Sequence, residues 1–280
     1  MSQELSKRSE LQIKELKPFL NKWVERVEQP EYIDDDPVLF MHAFQNKEDQ
    51  LLAGFFAATM AWGRRDVVIR KVRDFLNRMG NQPTEFIANF TDRDAQHFEG
   101  FKHRTFKPVD MEWLVKILQS ILLDYNSFED FWSFCYKRAS KNERPLMSVF
   151  HEQFFRQRPE APQRTRKHVS SADKKSACKR LYLFLRWAVR NKSCVDLGIM
   201  DFMPPSELYI PLDVHVARQA RALGLLTRTY NDWWAVEELT EALQLLDPQD
   251  PAKYDYALFG LGVDEDGLPE EFVLNPEVLN

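Results

Sequence analysis

A chain of 280 residues, 44% of them hydrophobic and 29% charged, can bury a core of ordinary globular size, and its nine glycines are too few for a turn-rich β architecture or a glycine-rich nucleotide loop. The net charge of −5 argues against a nucleic-acid partner only if it is evenly spread, and it is not: residues 156–192 carry twelve Lys or Arg against two acids, Glu160 and Asp173, a local +10 against −15 elsewhere. The apolar run Leu51 to Trp62 is too short for a bilayer span of about 20 residues, the start MSQELSKRSELQ has no apolar export signal, and Cys135, Cys178 and Cys194 lack CxxC spacing; together these predict a cytoplasmic protein with reduced thiols.

Helical periodicity runs from end to end. Leu16, Phe19, Leu20, Trp23 and Val27 share one helical face that Pro30 stops, and Pro18 predicts that the helix starts or kinks beside it. NKEDQLLAGFFAATMAW is apolar nearly all round, which predicts a buried central helix capped by Asn46 and ended by Gly63. RRDVVIRKVRDFLNRMG reads as an amphipathic helix closed by Gly80, and DMEWLVKILQSILLDY as another capped by Asp110, followed by the aromatic SFEDFWSFCYKRA. Residues 156–176 lack hydrophobic period and read as an exposed basic loop. Beyond it come the helix SACKRLYLFLRWAVR, an irregular link at 199–211, and helices near 213–223, 231–244 and 251–261. The predicted fold class is all-α.

Two segments carry the chemistry. In KRLYLFLRWAVR, Leu181, Phe184, Leu185 and Ala188 share one face, while Lys179, Arg186 and Arg190 fall opposite, predicting a basic stripe. In YIPLDVHVARQARALGLL, Asp213 stands where an apolar entry turns into a helix, fitting either a helix cap or a catalytic carboxylate. Asp213 and His215 lack a third metal ligand, so no metal is expected. Trp62 beside Arg64 and Arg65 suits a wedge in an unstacked duplex or plain core packing, and the HRTF stretch with His103 and Arg104 suits phosphate contact or a satisfied loop. Asp255 and Phe259 fit a pocket wall or an apolar core stripe.

PLDVHVARQARALGL resembles the segment bearing the catalytic aspartate in the helix-hairpin-helix (HhH-GPD) DNA glycosylases. WWAVEELTEALQLLDPQDPAKYDYALFGLG is similar to the two helices that follow it there, and EDQLLAGFFAATMAWGRRDVVIRKVRDFL to an early helix pair. With AATMAWGRR, HRTF, CKRLYLFLRW and PLDVHV, residues 32–264 most closely resemble a bacterial family of unknown function beside the archaeal 8-oxoguanine DNA glycosylases.

The resemblance implies two interlocked helical subdomains with a cleft between them over 32–264, an N-terminal helix at 1–31, a basic loop at 156–178 and a tail at 265–280. It implies a cytoplasmic, monomeric base-excision enzyme that flips a damaged base out of DNA, without cofactor. Asp213 matches the catalytic carboxylate, and Lys179 stands where bifunctional members carry a nucleophilic lysine. Arg180 and Arg186 would activate that amine. DNA contacts would come from Lys174, Lys175, Arg180, Arg186, Arg190, Arg64, Arg65, His103, Arg104, His215 and Arg218. Trp62, Trp187, Asp255 and Phe259 would line the base pocket.

Two departures stand out. The family hairpin reads Leu-Pro-Gly-x-Gly-x-Lys-Thr-Ala, whereas SSADKKSACK has no glycine, and no cysteine follows Cys194 to hold an iron–sulfur cluster. The alternative is a non-catalytic DNA- or RNA-binding protein on the same scaffold.

Overall fold

The computed structural model describes residues 5–264 and 267–279. Among them there is no β-strand, only isolated bridges such as His103 to Phe106 and Ser176 to Asp232, so the chain is all-α as its periodicity predicts. No helix among the described residues is long and apolar enough to cross a membrane. The chain divides into two compact units. One comprises residues up to Tyr32, Lys175–Gly198 and Pro204 onwards; the other comprises Ile33–Lys174 and Ile199–Met203.

The first unit opens with α1 (Glu10–Glu15), started by a Ser9–Gln12 capping box, and α2 (Lys17–Val27). Pro18 lies in the first turn of α2, where its missing N–H costs nothing, so the helix begins there rather than kinking. Leu20, Trp23 and Val24 are buried along one face, each worth roughly 1.5–3 kcal/mol.

The second unit runs through α3 (Leu39–His42), α4 (Lys47–Met60), α5 (Arg65–Arg78), α6 (Pro83–Ala88), α7 (Pro108–Tyr125), α8 (Phe128–Lys141), α9 (Leu146–Arg156) and α10 (Gln163–Arg166). Asn46 caps α4 by accepting from the Glu48 and Asp49 N–H groups, and every residue from Leu51 to Met60 is buried, as an all-round apolar helix requires. The core is built of rings: Phe55 meets Phe128, Phe150 and Phe154, and Trp132 stacks on Phe150 at 3.8 Å between centroids.

Two expectations for this unit are corrected. Asp110 is not the N-cap residue of α7: the helix starts at Pro108, and Asp110, fully buried in the first turn, caps it from inside by accepting from the Lys107 N–H at 2.9 Å. The segment 156–176 is not a plain exposed loop. It contains α10 and a short 3-10 turn at Ala172–Lys174, and it buries Thr165, His168 and Val169. The reason is Asp110, whose carboxylate accepts from Arg164 Nη2 at 2.7 Å, Arg164 Nε at 3.0 Å and Thr165 Oγ1 at 3.0 Å, with His168 Nε2 at 3.4 Å. Burial alone would raise its pKa, but the bonds from His168, Arg164, Lys107 and Thr165 hold it well below the usual carboxylate range.

The chain then returns to the first unit for α11 (Lys179–Val189), α12 (Val214–Ala222), α13 (Trp233–Gln244) and α14 (Tyr254–Val263). Helix α14 packs on α2 and α12. Two glycines allow that approach. A Cβ on Gly260 would lie 2.5 Å from Val27 Cγ2, and one on Gly262 would lie 2.8 Å from His215 Cβ.

Candidate active site

Lys179 is the first residue of α11, and Asp213 is the N-cap of α12. Their side chains meet: Lys179 Nζ donates to Asp213 Oδ2 at 3.1 Å. The other oxygen, Oδ1, accepts from the Val216 N–H at 2.8 Å. The two sequence readings of Asp213 are therefore compatible, because one oxygen caps the helix while the other faces the amine. The Asp213 side chain is 12% exposed and that of Lys179 36%, so the amine remains within reach of a solute.

Behind this pair lies Asp255, buried on the first turn of α14 and in contact with Arg186 Nη1. Desolvation is the main reason that Asp255 is pushed up to about 7, with the negative charges of Asp213 and Asp196 adding to it and Arg186 and Lys179 opposing it. Arg186 also donates from Nε to Asp196 Oδ1 at 3.3 Å, and the Tyr256 hydroxyl donates to that same oxygen at 2.8 Å. Arg190 pairs with Asp196 through Nη1, with Asp250 Oδ1 at 2.9 Å and with Glu28 Oε1 at 2.9 Å. From Asp255 inward the charges alternate through Arg186, Asp196 and Arg190, whereas Asp255 itself lies near the like charge of Asp213.

This network overturns the predicted basic stripe. The Arg186 and Arg190 side chains are 2% and 1% exposed, and their charges are spent on Asp196, Asp250, Asp255 and Glu28. Neither is free to meet a phosphate, and Arg186 is not positioned as a spare cation to activate Lys179. Trp187 is fully buried among core side chains. Arg180 is half-buried, whereas Lys174 and Lys175 are exposed, Lys175 lying 5.6 Å from the centre of the Trp234 ring. His215 Nδ1 lies 3.3 Å from the Gly262 carbonyl, to which Arg218 Nη2 donates at 3.2 Å, and the His215 ring meets Phe259 edge-on at 6.0 Å. His215, Arg218 and Phe259 therefore gather where α12 meets the later turns of α14, while Asp255 on its first turn lies near the Lys179–Asp213 pair.

The remaining candidates belong to the second unit. Trp62 is 50% exposed just beyond α4, with the Arg104 guanidinium 5.5 Å above its ring. Arg104 Nε donates to the Trp62 carbonyl at 3.2 Å, and Gly63 is needed between them: at its φ of +108° a Cβ would lie 2.3 Å from Arg104 Nη2. His103 is buried, its Nε2 bonded to the Met60 carbonyl at 2.9 Å, so it anchors the HRTF turn to α4 rather than facing a ligand. Arg64 pairs with Asp66 at 3.0 Å and Arg65 with Asp36 at 3.6 Å.

The family described as "Protein of unknown function (DUF2400)" matches residues 36–264. The chain belongs to that family. No curated protein and no solved structure matches it. The family span includes Lys179, Asp213, Asp255 and both buried arginines; Glu28, which closes the network around Arg190, lies outside it.

Sequence reasoning missed the acidic half of the network. Asp196, Asp250 and Glu28 stand alone in unremarkable stretches, and no local spacing links them to Arg190. It also missed the Asp110 cluster, whose partners Arg164 and Thr165 are 54 and 55 residues away.

Proposed function

We propose that the protein is a DNA base-excision glycosylase of the helix-hairpin-helix type with lyase capability, acting on a flipped-out damaged base. The observation that carries this reading is the 3.1 Å contact between Lys179 Nζ and Asp213 Oδ2, made by residues 34 positions apart in sequence. An amine beside a carboxylate at a helix entry is what the resemblance implies for this chemistry.

The proposed reaction follows from that pair. Positive charge builds at the sugar C1′ as the glycosidic bond breaks, and the Asp213 carboxylate stabilises it. Lys179 passes a proton to Asp213 and attacks C1′ with its lone pair, while the base leaves with the bonding electrons and takes that proton from Asp213, which regains its charge. Opening of the sugar ring, as the C1′–O4′ bond breaks and one proton moves from the nitrogen to O4′, gives a protonated Schiff base on Lys179. Loss of a proton from C2′ then expels the 3′ phosphate and cuts the strand. Asp255, His215 and Phe259 would shape the wall against which the base rests.

The glycine-free hairpin favours a second reading, a nucleic-acid-binding protein without turnover. Against it stands the charge of Lys174 and Lys175 in that segment, which can meet a phosphate where the glycines would have let the backbone approach one. Borohydride reduction in the presence of duplex DNA bearing an abasic site or 8-oxoguanine separates the readings. Covalent capture supports the enzyme. Salt-sensitive binding with no capture on any of these duplexes supports the binding protein.

A further inference from the structure

The basic segment gathers cations where the Lys179–Asp213 site does not use them. Within the second unit, Arg156, Arg166 and Lys174 join Arg144 around an open recess of about 460 Å³ that also includes Glu152 and Asp173. Both of these carboxylates are tied to Arg144, Glu152 Oε2 at 2.8 Å and Asp173 Oδ2 at 2.8 Å. Arg156, Arg166 and Lys174 form no ion pair among the described residues. With Arg144 counted, four positive charges face the recess against two carboxylates, an excess of two.

The recess is built, not merely charged. Arg166 lies 4.9 Å from the centre of the buried Phe155 ring and donates from Nη2 to the Pro159 carbonyl at 2.8 Å, which fixes its guanidinium; its Nε is buried without a hydrogen-bond partner. Ser148 Oγ accepts from the Asp173 N–H at 2.9 Å, leaving its hydroxyl proton for another acceptor. His151 binds the Val169 carbonyl through Nδ1 at 2.6 Å, so its other nitrogen is the bare one. Desolvation lowers the His151 pKa, the hydrogen bond with the Val169 carbonyl opposes it, and Lys174 and Arg166 lower it further against the weaker pull of Asp173.

We infer that this recess is a phosphate site that grips a backbone phosphodiester of a nucleic-acid strand through Arg156, Arg166 and Lys174. The assignment rests on the nucleic-acid reading above and adds a second point of contact to it. An anion there neutralises the excess charge and gives the stranded Arg166 Nε and Ser148 hydroxyl an acceptor. Because the recess is open, a diester can continue in both directions, which an enclosed pocket would forbid for anything but a terminal phosphate.

The test uses the full chain, an unmodified DNA duplex, and inorganic phosphate as the small-anion probe. Lys174→Gln, at an exposed position, and Arg166→Gln should each weaken duplex binding by about tenfold at low salt and reduce the slope of log affinity against log salt by about one. The His151 pKa followed by NMR should rise when duplex is added, and Arg166→Lys should restore part of the affinity. Unchanged affinity and slope in both Gln variants would overturn the assignment. So would a response of His151 to inorganic phosphate but not to duplex, which would mark a small-molecule site. Borohydride capture is read separately: capture that persists in variants with unaltered duplex binding sinks this inference alone, whereas recess-dependent binding without capture sinks only the glycosylase reading.

Discussion

Arg186 holds Asp255 in the core directly behind the Lys179–Asp213 pair, so the exposed amine ends a line of charges instead of standing alone on a helix surface. Buried ion networks of this kind are weak evidence for stability, since desolvating each charge costs several kcal/mol, but they fix geometry. Here the geometry fixed is that of α11 against α14 and, through Asp213, α12.

Asp213→Asn separates capping from chemistry. Asn caps a helix about as well as Asp, so the Val216 N–H keeps its acceptor and the unfolding free energy should stay within about 0.5 kcal/mol of wild type. The neutral amide cannot stabilise charge at C1′ or take a proton from Lys179. Base release, followed on a labelled duplex, should fall by roughly 10²–10³-fold.

Arg190→Ala should behave as a core lesion. Removing a guanidinium that is 1% exposed leaves Asp196, Asp250 and Glu28 without a shared partner. Breaking a buried pair in this way costs about 3–5 kcal/mol, measured by urea denaturation. Had Arg190 been a surface phosphate contact, stability would change little and DNA affinity would carry the loss.

The pH dependence of stability should carry the mark of Asp255. Its folded pKa of about 7 lies above the ordinary 3.8, so the folded state holds a proton that the unfolded chain has released. That contribution is fully present below the ordinary value and is lost as pH rises through about 7. Asp255→Asn, which stays neutral and keeps an acceptor for Arg186, should flatten unfolding free energy across this window.

Asp110 predicts the opposite sign for the second unit. Its folded pKa is depressed below the ordinary 3.8, so its stabilisation is complete above that value and drains away as pH falls below it. Asp110→Asn should lower stability at neutral pH and weaken the acid dependence. Proteolysis within 156–174 should accelerate in that variant, because Arg164, Thr165 and His168 lose the anion that draws the segment in.

The helices were legible because a 3.6-residue apolar period reports a buried face directly, as in α2 and α11, and an apolar run without period reports burial all round, as in α4. The pairing of Lys179 with Asp213 was legible only through the resemblance, since nothing in periodicity brings residues 34 apart together. The fate of Arg190 was not legible at all. Its position opposite Leu181 and Leu185 suggested a solvent-facing stripe, but the faces of a helix do not say what lies beyond them. Its three carboxylate partners come from 6, 60 and 162 residues away. The basic segment misled for the same reason: one buried Asp110, read as a cap, is the counter-charge that folds it.

Mass spectrometry of the protein trapped by borohydride on an abasic-site duplex tests the central claim most directly. The account predicts a single covalent adduct on the peptide containing Lys179, present in wild type and absent in Lys179→Gln. Failure to trap wild type on abasic or 8-oxoguanine duplexes, or an adduct that persists in Lys179→Gln on another amine, would contradict it.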